Sequence, residues 1–397
     1  MPAVLCGFWL HTLWEKTMKF TTSKKMLNVF IQNNAYSRSK LPVLMSVLIK
    51  VHDGNVIFAN TDLDNEVETI VATGCTEPTN AEIFIDLSTL KLITKSFNAK
   101  DPVSVDVTPD LVSFEQDEIL QNIKCLDFED GFPYMRGPEI TKTLQFEFEA
   151  EVLLKILKSV APCMSQEEAR YYLNGIFMHS IHQNLSFVAT DGHRLAKYET
   201  GKHTENFEGV IIQYQSIKLI LKALTNAKKG ETACLSTDEL RIRFTVGDFA
   251  LTTKAIDGTF PDYHRVIPKN TEFVEIKAQN LVRAIAPHKT RFKTIFGPYE
   301  KHPVKLNVNG SIEMTSLCDD ERFEPLLTTE TEIIRHTGED TTLSLRIDLF
   351  SQAIVAAGYS KTENPTIRMA IVDHRSPITL HNTELPQLTQ VLMTYNG

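Results

Sequence analysis

The sequence predicts an α+β protein built as three diverged copies of one unit, each with antiparallel strands around two short helices. Three observations carry that prediction. A chain of 397 residues exceeds one ordinary core. Period-2 apolar stretches alternate with amphipathic helical stretches. Short landmarks also recur at near-equal spacing. Phe20, Phe146 and Val274 each open a strand-to-helix passage, 126 and 128 residues apart, followed by Met26-Leu27, Val152-Leu153 and Asn280-Leu281. Phe132-Pro133 returns as Phe260-Pro261, and Thr61-Asp62 returns as Thr190-Asp191. Equal spacing of this kind is the mark of an internal repeat.

Taken in order, residues 1–17 stand apart from the rest of the chain: they hold both tryptophans and lack the basic start and small-residue cleavage site of a secretory leader. They read as an upstream start or added segment before Met18, with a native appendage as the other reading. The copies are then expected at 18–143, 144–270 and 271–397. The third is the faintest. SIEMTSLCD at 311–319 takes the place of the Thr-Asp stretch without its turn, and FGPYEKHP at 296–303 reads as a rearranged loop.

Composition excludes several classes. A hydrophobic share of 42% and a charged share of 23% are those of a globular protein, and no apolar run reaches a membrane span. Six scattered cysteines without a CxxC pair point to reduced thiols in a cytoplasm, with neither a disulfide frame nor a metal site. The net charge of −9 opposes contact with nucleic acid unless the charge is segregated. The helices segregate it. At about 100° per residue, Ile217, Ile220, Leu221, Leu224 and Ala227 share one face of 216–229, while Lys218, Lys222 and Lys229 share another. In 150–160, Val152, Leu153, Ile156, Leu157 and Val160 form the apolar stripe and Lys155 and Lys158 point away. The first copy adds Lys24, Lys25, Lys91 and Lys95; the third adds Arg283, Lys289, Arg291 and Lys293. One such helix is an ordinary solvated face. Five in a repeat predict a basic lining that touches phosphates and carries no base readout.

The stretch VATDGHRLA at 188–196 is a strand, with Leu185, Phe187 and Ala189 alternating with Ser186 and Val188, ending in a turn at Asp191-Gly192. ARYYLNG at 169–175 precedes it and VGDFALTTKAIDGTFPDYHRVIPKN at 246–270 follows it. Together these blocks resemble the middle domain of the bacterial DNA polymerase III beta subunit family, the sliding clamps. The resemblance covers about 380 residues, strong in the second copy, fair in the first and weak in the third. It implies the DNA-clamp fold and a head-to-tail homodimeric ring, lined by the basic helices, that encircles duplex DNA without sequence specificity. It also implies sheets that run on across domain boundaries, hiding their edges.

The resemblance further implies a groove for linear peptides from the replicative polymerase, clamp loader and repair polymerases. Its residues here are Leu173, Thr190, Gly192, His193, Arg194, Leu195, Pro261, Arg265 and Val266. The four apolar ones suit the anchors of an extended segment, and the arginines suit its polar or acidic flanks. The family tail completes the groove; here Val391 and Met393 fit, whereas Thr394 and Tyr395 depart. On the DNA side the resemblance implies Arg38, Arg170, Tyr171 and Tyr172, the last three beside Gln166-Glu167-Glu168, whose glutamates depart from a simple electrostatic role. A function without cofactor or catalysis is expected, loading being the work of a separate ATP-driven protein.

Two other readings compete. One is a monomeric or decoy clamp-like peptide-binding module whose third copy no longer closes a ring. The other is an enzyme centred on Asp191 and His193, with Ser180 or Ser186 nearby in sequence. No nucleophile elbow, HExxH or P-loop supports it, and Asp two residues before His is ordinary turn chemistry.

Overall fold

The computed structural model describes residues 18–35, 41–75, 82–135, 144–269, 271–297, 302–317, 327–358, 360 and 362–395. The segment 1–17, Arg38, and the expected boundaries near 143 and 270 lie outside them. Residues 298–301 of the rearranged loop at 296–303 and 318–319 of SIEMTSLCD are also outside. Six α-helices occur among the described residues, two in each expected copy. A strand feeds each helix directly. Met18–Ser23 leads to α1 (Lys24–Asn33), and Ile83–Asp86 leads to α2 (Leu87–Ser96). Leu144–Glu149 leads to α3 (Ala150–Val160), and Phe207–Gln213 leads to α4 (Tyr214–Asn226). Phe273–Lys277 leads to α5 (Ala278–Phe296), and Thr341–Arg346 leads to α6 (Ile347–Ala356). Two of the starts are capped by side chains that satisfy an orphan N–H: Ser23 accepts from Met26 N, and Asp86 from Thr89 N.

The chain divides into two compact units, one holding residues 1–143 with 234–236 and 243–253, the other the remainder. In the first, Met18–Ser23, Pro102–Val107, Leu111–Gln116 and Ile119–Lys124 form an antiparallel sheet in that order. A second sheet runs Ile83–Asp86, Ser46–His52, Asn55–Thr61, Asn65–Ala72, and Asn65–Thr69 pairs with Phe249–Thr253. Between the layers, Phe20 and Phe30 meet Phe58 edge-on. Leu27, Ile85, Val105 and Phe114 complete this core.

In the second unit, nine strands make one sheet. Its order is Phe207–Gln213, Gly175–Ile181, Asn184–Thr190, Arg194–His203, Leu385–Leu392, Ile378–Asn382, Thr366–Ala370, Phe273–Lys277, Arg335–His336. The pairing of Arg194–Tyr198 with Leu388–Leu392 carries the sheet from second-copy strands into third-copy strands without an open edge. A four-stranded sheet, Thr328–Glu332, Ser311–Ser316, Pro303–Val308 and Thr341–Arg346, covers α5 and α6 over a core of Leu281, Ile285, Leu306, Met314 and Phe350.

Three local expectations differ from the structure. The strand Asn184–Thr190 does not alternate, because Ser186 and Val188 are buried as well as Leu185 and Phe187. Helix covers one face and the cluster around Leu173 covers the other, so both faces are apolar. On α3, Val152 is exposed, and Ala150 and Ser159 join the buried stripe. Helix α4 stops at Asn226, where Ala227 turns extended, so Lys229 stands in the turn after the helix and not on its face. The described cysteines Cys75, Cys125, Cys163 and Cys234 form no disulfide.

Candidate functional site

The turn after Asn184–Thr190 is shaped by side chains of its own. The Thr190 hydroxyl donates to the Arg194 carbonyl (2.8 Å) and accepts from Gly192 N (3.1 Å). The Asp191 carboxylate accepts from His193 N (2.9 Å) and Arg194 N (3.0 Å), and its second oxygen pairs with Arg194 Nε (3.0 Å). Asp191 is thereby committed to the turn, as expected of turn chemistry and not of a general base. Ser180 and Ser186 are buried in the sheet. Gly192 has φ +85°, and an added Cβ would sit 2.6 Å from Nη1 of Arg170. The glycine therefore makes room for that guanidinium, which Glu167 also pairs at 2.8 Å. Arg170, expected on the DNA side, thus lies against the turn.

Around this turn the structure gathers residues far apart in sequence. Leu173, Leu195 and Val391 share a buried cluster with Val188, Phe260 and Tyr263. Phe260 stacks on Phe177 at 4.7 Å, and the chain after it forms the 3-10 turn Tyr263–Val266. Asp262 caps that turn through His264 N (3.3 Å) and pairs with Arg265 (2.9 Å), leaving Pro261, Arg265 and Val266 exposed. From the other side the chain end is tied down in three places. Met393 N donates to the His193 carbonyl (2.9 Å), the Thr394 hydroxyl to the Arg375 carbonyl (2.7 Å), and Tyr395 N to the Ser344 carbonyl (2.7 Å). Arg194 Nη1 reaches Gln352 of α6 at 2.7 Å, a partner 158 residues away that the sequence did not signal.

The result is a surface with buried apolar walls and exposed Val266, Met393 and Tyr395 at its edges, flanked by the cations of Arg170, Arg194 and Arg265. All thirteen expected groove residues belong to the second unit. No group of three or more metal-ligating side chains occurs among the described residues.

The expected DNA-side residues are more dispersed. Lys155, Lys158, Lys218, Lys222, Lys95 and Arg283 are exposed on their helices, whereas Lys91 is half-buried and its ammonium pKa is lowered by burial. Lys24 is committed elsewhere: its ammonium donates to the carbonyls of Lys95 (3.2 Å) and Phe97 (2.5 Å), closing the end of α2. Lys218 lies over the Tyr214 ring at 4.2 Å. Tyr171 is exposed and meets Tyr172 edge-on; Tyr172 is half-buried against the groove cluster. Arg38 lies outside the described residues.

Comparison with known proteins assigns the family. Residues 18–135 match the model for the DNA polymerase III beta subunit N-terminal domain, and 147–262 the model for its central domain. The chain is similar to the beta sliding clamp of Caulobacter vibrioides, 30% identical over 282 residues, 66% of this chain and 72% of that one. It is similar to the Escherichia coli K12 beta sliding clamp at 23% identity over 95% of this chain and 99% of that one. Its fold matches a crystal structure of the C. crescentus beta sliding clamp with PEG bound (TM-score 0.82, 25% identity, 97% and 100% covered). It also matches a Bartonella birtlesii sliding clamp bound to griselimycin (TM-score 0.81, 24% identity, 96% and 100% covered). With clamp strands and helices along its length and a built surface around Thr190–Leu195, the chain belongs to the DNA polymerase III beta subunit, or beta sliding clamp, family.

Proposed function

We propose that the protein is a DNA polymerase processivity factor, a closed ring of two chains that encircles duplex DNA and holds the polymerase by a linear peptide. The observation that carries this reading is the surface around Thr190–Leu195. Apolar walls converge there from four separate stretches of chain, and arginines rim them, as suits peptide capture. Leu173, Leu195, Pro261, Val266, Val391 and Met393 take the apolar anchors. Thr190, Gly192 and His193 form the floor turn, Arg194 and Arg265 meet the flanks, and Thr394 and Tyr395 close the far wall.

The ring places its exposed lysines toward phosphate: Lys95, Lys155, Lys158, Lys218 and Lys222, with Arg283 and Lys229. Contact of this kind is sequence-independent and weakens with salt. Three domains, 18–143, 144–270 and 271–397, give each chain half of the ring. The protein itself performs no catalysis, a separate loader opens the ring, and it works in the cytoplasm. Among the described residues no helix is long and apolar enough to cross a membrane. The decoy reading is not favoured, because the third copy keeps a full core of its own over α5 and α6. Light scattering tests the ring. A particle of twice 44.9 kDa is expected over a wide concentration range, and a persistent monomer would rule out ring closure.

A further inference from the structure

We propose that His179 is a positioning residue for the groove: by its bond to the Tyr263 hydroxyl it holds in place the turn that carries Arg265 and Val266. The proposal rests on reading that surface as a peptide groove. The bonds of Asp262 lie inside the turn, so they fix its shape and not its place on the sheet. Its place depends on Tyr263, which is buried while Arg265 and Val266 are exposed. The Tyr263 hydroxyl lies 2.9 Å from His179 Nε2 in the strand Gly175–Ile181.

His179 is in turn held by stacking. Its ring lies on Phe177 at 4.7 Å, and Phe177 lies on Phe260, the residue that opens the groove segment. Gly209, on the neighbouring strand at φ +111°, makes the close approach possible. A Cβ there would stand 2.5 Å from the Phe177 ring and 2.6 Å from the His179 Cβ. Gly209, Phe177, His179 and Tyr263 thus form one chain of contacts from the edge strand to the groove wall.

The other nitrogen, Nδ1, is buried without a hydrogen-bond partner. A half-satisfied buried imidazole costs stability relative to an apolar side chain of similar size. The one polar contact of the imidazole is therefore its bond to the Tyr263 hydroxyl. Burial, with smaller contributions from His264 and Lys197, pushes its pKa down to about 4, so the ring is neutral at neutral pH. Lys50 and Tyr134 stand 129 residues before His179 and Tyr263, and there too the strand residue faces the tyrosine, Lys50 Nζ lying 5.0 Å from the ring centre. There, however, the Lys50 ammonium pairs with Glu68 (2.7 Å) and the Tyr134 hydroxyl donates to Glu82 (2.6 Å), so the first copy lacks the bond that His179 makes to Tyr263.

The test is a double-mutant cycle in the full chain with griselimycin as the probe. His179→Leu and Tyr263→Phe should each weaken binding about fivefold, the worth of one pre-organising hydrogen bond. The double variant should be no weaker than either single one, and its Tm should not fall below the parent's, because both polar partners are gone. His179→Gln, whose amide reaches the Nε2 position, should return affinity to within about twofold of the parent. Singles that bind as the parent does, or losses that multiply in the double variant, would overturn the positioning role. A parent chain that does not bind griselimycin would overturn the groove reading and this proposal with it.

Discussion

The turn Thr190–Arg194 and its counterpart Thr61–Asn65 share the hydrogen bonds that shape them. In each, the threonine hydroxyl donates to the carbonyl four residues on at 2.8 Å, and the aspartate accepts two successive N–H groups. Thr237–Arg241 repeats the arrangement a third time. Turn chemistry is therefore scaffold and confers no recognition. What differs is the third residue: Gly192 admits Arg170, whereas Leu63 accepts the same left-handed backbone, φ +77°, with its side chain exposed. The opposite corner differs too. Phe132-Pro133-Tyr134 is closed by acids, the Tyr134 hydroxyl donating to Glu82 (2.6 Å) and Met135 N to Glu66 (2.8 Å). Phe260-Pro261 is followed by one extra residue, Asp262, and the exposed turn Tyr263–Val266. The proposed groove thus differs from its first-copy counterpart by a glycine, an extra residue and the absence of a carboxylate lid.

The largest expected effect comes from exchanging that third residue. Gly192→Leu should displace Arg170 and reduce griselimycin affinity by about a hundredfold, while Leu63→Gly leaves it unchanged; isothermal titration reads both. Equal affinities for the two variants would erase the distinction between the copies. Next, charge reversal at Lys218 and Lys222 should cut retention on circular DNA about tenfold and flatten its salt slope by roughly two, one for each phosphate lost. An unchanged slope would mean that these lysines do not face phosphate. Val266→Ala should weaken griselimycin severalfold, a rim anchor being worth about 1 kcal/mol. The same change at Tyr134→Ala should cost stability and no affinity.

The smallest effect is on pH. Burial holds His179 and His288 down to about 4. The unfolded chain takes up those protons near 6.5 and the folded chain does not, so stability is full above about pH 6.5 and falls as pH drops toward 4. Both residues lie in the second unit; the described histidine of the first, His52, is exposed. Urea unfolding of the His179→Leu/Tyr263→Phe chain should show a shallower acid loss than the parent. Identical slopes would deny His179 its share.

Much of this was legible in the sequence because it is local. The strand-to-helix passages at Phe20, Phe146 and Val274, the Thr-Asp turns and the Phe-Pro landmarks announce themselves by spacing and residue type. What was not legible is what distant segments do to one another. The commitment of Lys24 to the end of α2, the meeting of Arg194 with Gln352 and the place of Arg170 over Gly192 depend on tertiary approach. His179 lies 84 residues from Tyr263 in a strand of buried side chains, where nothing in its neighbours marks it. Helix α4 ends before the lysine spacing predicts, because the lysines continue the helical spacing after the backbone has turned extended at Ala227.

The most direct measurement is a crystal structure of the chain soaked with griselimycin. One molecule per chain is expected, seated between Thr190–Leu195, Val266 and Met393, with the Asp62–Asn65 and Phe132–Tyr134 corner empty. Occupancy of that first-copy corner instead, or binding that leaves the surface around Leu195 uncovered, would contradict the assignment of the groove.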